Sequence, residues 1–500
     1  MAFTRTPEQA TYRTVPIKFD GTPLYRTGDL TTQRDLNVVN MYYERLTQEN
    51  NKREVMLKKR PGLAVSGYNL TKSASSDVLR GWFYDSDANA FYWAVNNKVY
   101  RVAPDVGTSV RTVQTLATSS GTVGFCSFLV ATTNTKYIII TDGTDCYYDN
   151  YGTTTCTEIT DADMPTPHLP CPVYLDGYLF LVDANTGDIH NSDVDAPETW
   201  TTSTYISAEM SADFINKIAL NKNYLVAFGK NSMEIFWDAA NDTGSPLSRN
   251  DSGYKNIGYV TGFADIGDKL YFVGQDKNNN MAVYVLDGFK LERISNEVVD
   301  RTLQAITTTD NAKGKVTADQ NGLTIASDGH TFYIIVTTQT TWAYDIEEKM
   351  WYEWRGSDGT YLKLEASWPM YNGNQYVAVA GQTYISVMSP ALYQDYNSNF
   401  ACKYTTERVT GDSLMWKSCN RLGIIADMHA ASGTSTVTIE YSDNDWASSV
   451  THPDTVNLFS SDPFIYQLGA FRTRSFRLTY SDNYPVRWRG LELELNIGNG

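Results

Sequence analysis

Seven short, apolar, aromatic-led runs recur through the middle of the chain. They are FYWAV from Phe91, YIIIT from Tyr137, YLFLV from Tyr178, YLVAF from Tyr224, LYFVG from Leu270, FYIIV from Phe332 and QYVAVA from Gln375. Their starts lie roughly 40–47 residues apart, except for one gap of about 60 after Leu270. Each run is short and nearly continuous in its apolar character, the pattern of a strand buried on both faces. Most are followed by a turn and a second strand, as in NNKVYRV, GTDCYYDN, KNSMEIFWD and TTWAYDIEEKMWYEW. A repeat of this length holding about four strands has the dimensions of a propeller blade. The runs are read as the inner strands of about seven blades, with six or eight left open by the long fifth repeat. Asp142-Gly143, Asp176-Gly177, Asp287-Gly288 and Asp328-Gly329 supply tight hairpin turns between strands.

The flanks lack this period. Residues 1–78 are rich in Thr, Asn and Arg and read as an irregular N-terminal arm; 79–390 form the propeller. From 391 to 500, RLGIIADMHA, STVTIEYSDND, SFRLTYSDN and VRWRGLELELNIG alternate apolar and polar residues, as in a β-sandwich-like domain with one wet face. This C-terminal region could pack with the N-terminal segment. The fold class is therefore all-β, with NEVVDRTLQAI from Asn296 as the best helix signal.

Charge narrows the partners. Lys plus Arg is 41 against 57 Asp plus Glu, a net charge of −16. That balance opposes tight sequence-independent DNA binding, which needs clustered cations, but suits a passage along which DNA slides. No apolar run approaches a membrane span, and MAFTRTPEQATYRT lacks a signal-peptide core, so synthesis and use in the cytosol are expected. The six cysteines make no C-x-x-C pair and read as reduced, buried thiols.

Catalytic chemistry finds little support. SDVDAPETW, Ser192 to Trp200, resembles the Asp-box turn of sialidase-like propellers, but Ala196-Pro197 stands where that turn has Gly. An Asp-box fixes a hairpin and performs no reaction. Ser192 and Asp193 are therefore expected to stabilise a turn, and Trp200 to pack between blades. Paired carboxylates for a glycosidase could be drawn from Asp193, Asp195, Glu198, Glu209 and Asp213, although acidic residues in turns ordinarily build the turn. A glycan-binding propeller is a further alternative. The histidines, His168, His190, His330, His429 and His452, show no metal-ligand spacing, and His330 reads as a turn-tying hydrogen bond. No cofactor, catalytic or metal site is expected.

Order along the chain points to a family. VNMYYERL followed by LKKRPGL resembles the N-terminal N-L-Y-P-E … P-G-L segment of the podovirus tail accessory, or packaged-DNA stabilisation, family. LRGWFY, YLDGYLF, SDVDAPETW, FGKNSMEIFWD, DGFKLERIS, DGHTFYIIV, TTWAYDIEEKMWYEW and PVRWRGLELEL follow in that family's order, with Tyr43 replacing a Pro. The resemblance implies a virion structural protein without enzymatic activity, assembled in the host cytoplasm as a hexameric tail hub or nozzle ring. Such a ring lies beneath the portal and adaptor ring, extends the DNA channel, retains packaged DNA, and carries spikes or fibres and a distal plug or needle. Its N-terminal arm could lace one subunit to the next. Subunit or partner contacts are expected among Arg34, Asn40, Tyr42, Lys58, Lys59 and Arg60, and among Arg472, Arg474, Arg487 and Arg489 of the tail.

Overall fold

The computed structural model describes residues 12–19, 38–47, 53–74, 77–102, 110–151, 155–310, 322–371, 374–410, 414–427, 435–460 and 463–497. The chain divides into two compact units. One comprises Val65–Lys349 and Leu362–Met388; the other comprises residues up to Ala64, Met350–Tyr361 and residues from Ser389 onward.

The first unit is a seven-bladed propeller. Blades one to five are four-stranded antiparallel meanders, running from Leu79–Asp85 to Arg111–Thr115, Gly124–Val130 to Thr157–Glu158, Val173–Leu175 to Ala196–Ile206, Lys217–Asn221 to Leu247–Lys255, and Gly258–Ile266 to Lys290–Arg293. Blade six contributes Leu323–Ser327, His330–Val336 and Thr341–Asp345 to this unit. Blade seven combines Leu364–Tyr371, Asn374–Val379 and Tyr384–Ser389 with the early strand Gly62–Asn69, whose residues from Val65 belong here. The apolar runs are the second strand of each blade, not the innermost. At most blade junctions the first strands lie beside one another, while the second strands are buried along nearly their whole length. The long fifth repeat is one blade followed by the helix Glu297–Asp310, whose first turn is capped by Asn296 Oδ1 accepting from the Val298 and Val299 amides, both at 3.0 Å.

Apolar cores bridge successive blades. Val99 and Tyr92 of blade one meet Ile138 and Ile140 of blade two, and Phe128 and Ile139 of blade two meet Leu179, Leu181 and Trp200 of blade three. Phe180 and Val182 then meet Leu225 and Phe236, and Val226 and Phe228 meet Leu270 and Phe272. The Tyr333 hydroxyl of blade six donates to Gly262 O of blade five at 2.5 Å, and the Thr324 amide donates to Ser367 Oγ of blade seven at 3.1 Å. The circle closes where Phe91 and Trp93 pack on Trp368 and Tyr376.

Backbones approach most closely at glycines on the blade junctions. A Cβ on Gly81 would lie 2.2 Å from Val123 O, on Gly124 2.3 Å from Pro170 O, and on Gly258 2.1 Å from Lys230 O. Real Cβ atoms do not make such contacts with backbone, so these positions exclude a side chain.

Polar clamps reinforce the first junction. Arg101 Nη1 reaches Asp149 Oδ2 at 2.6 Å, and the Tyr92 hydroxyl donates to the same oxygen at 2.9 Å. Lys136 pairs with Asp85 Oδ1 at 2.5 Å, and Tyr151 donates to the other Asp85 oxygen. Burial pushes the Asp85 carboxyl upward, but the Lys136 and Tyr151 bonds outweigh it and hold the group below its ordinary value of 3.8. A depressed folded-state value means the contribution is complete above 3.8 and is lost as pH falls through the folded-state value. We expect the melting temperature of the wild-type protein to fall more steeply than that of Asp85→Asn as pH drops from about 4.5 to about 2. Parallel slopes in a calorimetric pH series would contradict this assignment.

The second unit holds two sheets. One orders Met41–Thr47, Arg53–Lys59, Arg487–Ile497, Lys417–Ala426 and Phe464–Phe471, with Tyr12–Lys18 also paired to Arg487–Ile497. The other runs Met350–Trp354, Val38–Val39, Cys402–Thr405, Ser475–Tyr480, Thr436–Ser442, Val450–Asn457. Leu491, Leu493 and Leu495 alternate inward from one sheet, Phe476, Leu478 and Tyr480 from the other, and Tyr480 stands edge-on to Trp488 at 6.1 Å. Within the expected N-terminal arm, Tyr12–Lys18 and Arg53–Lys59 are thus regular strands paired with Arg487–Ile497 near the other end of the chain, whereas Gly62–Asn69 completes blade seven.

Candidate functional site

SDVDAPETW is the hairpin joining the last two strands of blade three. Ser192 is buried; its Oγ accepts from the Leu179 amide at 3.0 Å and donates to Asp193 O at 2.9 Å. Trp200 is buried between blades two and three, its indole N–H donating to Pro197 O at 3.0 Å. The expected role of Asp193 belongs instead to Asp195. Asp193 points to solvent, whereas Asp195, at φ 58°, accepts from the Ala131 and Thr132 amides of blade two at 3.0 and 3.2 Å. Sequence spacing could not separate the two because the hairpin bulges between Ser192 and Asp193. We expect Asp195→Ala to lose about 1 kcal/mol, as two exposed charge-assisted hydrogen bonds are exchanged for water, and Asp193→Ala to stay within about 0.5 kcal/mol of wild type. Urea unfolding of both variants checks the pair; equal losses would contradict it.

The other candidate carboxylates are dispersed in role. Glu198 and Glu209 are exposed. Asp213 is pushed up by burial but held below its ordinary value by the Asn231 amide at 2.8 Å and the Ser232 hydroxyl at 2.7 Å. It is therefore an ionised anchor, the opposite of the proton donor that glycoside cleavage needs. Glu234 is raised by burial, yet it accepts from the Met210 amide at 2.9 Å and pairs with Arg249 at 2.9 Å. Asp188, Glu209, Asp213 and Phe214 do line one open pocket of about 470 Å³.

His330 meets two acids that its sequence neighbours do not announce. Hairpin pairing brings its Nδ1 to 2.8 Å from Asp345 Oδ2, with Glu347 beside them, the three ligand atoms lying within 4.8 Å of one another. Two of the other carboxylate oxygens serve the turn. Asp345 Oδ1 accepts from the Glu347 and Glu348 amides, and Glu347 Oε2 accepts from the Thr331 amide at 2.8 Å. His330 thus ties the two strands of its own hairpin through the bond to Asp345.

The basic residues expected at an interface separate into two classes. Arg60 has no exposed surface; it forks onto Asp395 at 3.1 and 2.5 Å, donates to Asn40 Oδ1 at 3.0 Å and to the carbonyls of Pro61 and Arg355. Asn40 and Tyr42 are buried beside it, and Lys59 lies over Phe400 while donating to Asp482 O at 3.1 Å. Arg474 is buried against Tyr441 and forks onto Asp443 at 2.6 and 2.8 Å. The three buried cations, Lys59, Arg60 and Arg474, are structural, because a desolvated charge is kept only where bonds satisfy it. Lys58 pairs with Glu44 at 2.8 Å, and Arg487 and Arg489 share Asp427 at 3.5 and 2.9 Å. Arg472 is exposed, stacked 5.4 Å from the Trp416 ring. Arg34 lies outside the described residues. All six cysteines are free thiols, and among the described residues no helix is long and apolar enough to cross a membrane.

No curated protein matches the chain. Solved structures with similar folds include the extracellular domain of the putative hybrid two component system BT4673 from B. thetaiotaomicron, at 11% identity and TM-score 0.42, covering 68% of this chain and 40% of that one. The N-terminal domain of Nup159 gives 10% identity and TM-score 0.39 over 71% of this chain and 99% of that one. The Myceliophteria thermophila Cps50 (Swd1) β-propeller domain gives 10% identity and TM-score 0.40 over 66% and 99%. A phage-stabilisation family, described as bacteriophage P22 Gp10, beta-propeller, matches residues 21–388. That span takes in all seven blades and most of the sequence, and the chain belongs to this family of phage structural β-propeller proteins that stabilise packaged DNA.

Proposed function

We propose that this virion protein builds the hub or nozzle ring of a short-tailed phage, beneath the portal and adaptor ring. Six copies would extend the DNA channel, retain the genome, and carry spikes or fibres and a distal plug or needle. The observation that carries this reading is the family match across residues 21–388. Two physical properties support it. A propeller closed through shared cores leaves few free strand edges and resists deformation, as a pressure-bearing collar must. A net charge of −16 disfavours adhesion of DNA to the wall it passes.

Electron microscopy of the purified chain mixed with its adaptor ring is the direct test. Six-fold rings docked coaxially on the adaptor are expected. A chain that remains monomeric in its presence overturns the reading.

A further inference from the structure

We infer that neighbouring copies of this chain join head to tail, the Trp416–Arg472 patch of one copy seating in the Phe214 pocket of the next. The inference rests on the ring reading above and supplies the contact that reading lacks.

The donor patch is apolar, cationic and pre-ordered. Leu414, Met415 and Trp416 are 72%, 41% and 57% exposed, a run that a lone soluble chain would ordinarily bury. Arg472 lies over the Trp416 ring, 5.4 Å from its centre, and is itself exposed. The buried Lys417 fixes both halves of the patch, donating to Met415 O and Arg472 O at 2.8 Å each. Trp, Met and Arg held rigidly are the composition of an interface anchor, and prior ordering removes part of the entropy cost of docking.

The acceptor has the opposite charge. The pocket of about 470 Å³ is rimmed by Asp188, Glu209 and Asp213, with Phe214, 70% exposed, among its lining residues. It too is held in shape, Ser207 donating to Asp188 at 2.5 Å and Asp213 gripping Asn231 and Ser232. Apolar surface can meet apolar surface there while Arg472 meets carboxylates. Patch facing patch would instead oppose Arg472 to itself, and pocket facing pocket would oppose three acids. Two different surfaces on one chain define a heterologous contact, the kind that generates rings when its rotation closes.

Arg472→Glu, Glu209→Arg and the double variant, each in the full chain, test this by light scattering and microscopy under ring-forming conditions. Both side chains are exposed, so unchanged melting temperatures verify folding. Each single variant is expected to weaken ring assembly by about tenfold or more, and the double to return to within about threefold of wild type. Trp416→Ala and Phe214→Ala are expected to weaken it similarly. Assembly unaffected by either single charge reversal, or a double variant no better than the singles, overturns this contact and leaves the ring reading standing. A wild-type chain that forms no ring overturns both.

Discussion

Arg60→Ala is expected to lose about 3–5 kcal/mol from the unit that contains it, because it strands buried partners. Removal leaves the Asp395 carboxylate, 3% exposed, without its fork, and leaves Asn40 Oδ1 and the carbonyls of Pro61 and Arg355 short of a donor. It also removes the planar cation stacked 3.8 Å from the centre of the Phe400 ring. Those partners come from four separated stretches of sequence, so the loss is expected to spread across the unit. Amide exchange in Lys417–Ala426 and Arg487–Ile497 should accelerate accordingly. Arg60→Lys keeps the charge but cannot fork, and is expected to recover less than half of the lost stability. Protection equal to wild type in the alanine variant would show that the network adds nothing net.

Gly258→Ala carries the second large effect. Its Cβ would sit 2.1 Å from Lys230 O, 2.2 Å from Lys230 C and 2.4 Å from Asn231 N, all backbone atoms of blade four. Only separation of the two blades relieves the clash, and that opens the core shared by Phe228 and Phe272. A loss of more than about 3 kcal/mol is expected, at the upper end for overpacking. Gly356→Ala is the control: its nearest contact would be the movable Asp358 carboxylate at 3.1 Å. Thermal unfolding should therefore separate the two variants widely, and matching midpoints would refute the steric argument.

Blade number was legible because burial on both faces writes itself into sequence as a short unbroken apolar run. All seven runs fall on second strands, from Ala90–Val95 to Asn374–Val379. Innermost strands such as Leu79–Asp85 and Gly124–Val130 mix Gly, Arg and Ser with apolar residues, so their position had no comparable signature. The glycines at blade junctions look like any others in sequence, since their requirement comes from a carbonyl on the adjacent blade. The basic cluster of Lys58, Lys59 and Arg60 misled for a related reason. Local sequence counts charges but not the distant Asp395 carboxylate and Asp482 main-chain carbonyl that hold two of them in the interior. Trp416 and Arg472 lie 56 positions apart (472 − 416), and their stacking depends on Lys417–Ala426 pairing with Phe464–Phe471.

The strand Gly62–Asn69 has a consequence for the order in which the propeller comes into being. It belongs to the seventh blade, with Ser66 Oγ donating to Ile385 O across a separation of 319 residues. On a ribosome it is made before any blade and can dock only after all of them. Throughout synthesis it is an unpaired strand awaiting a template, and the growing array has an open end exposing Trp93 and Phe91. Non-local closure of this kind is slow, and unpaired edges recruit wrong partners in the interval. Yield of native protein should therefore be limited by that last docking event, with premature termination before Tyr384–Ser389 leaving chains that cannot close.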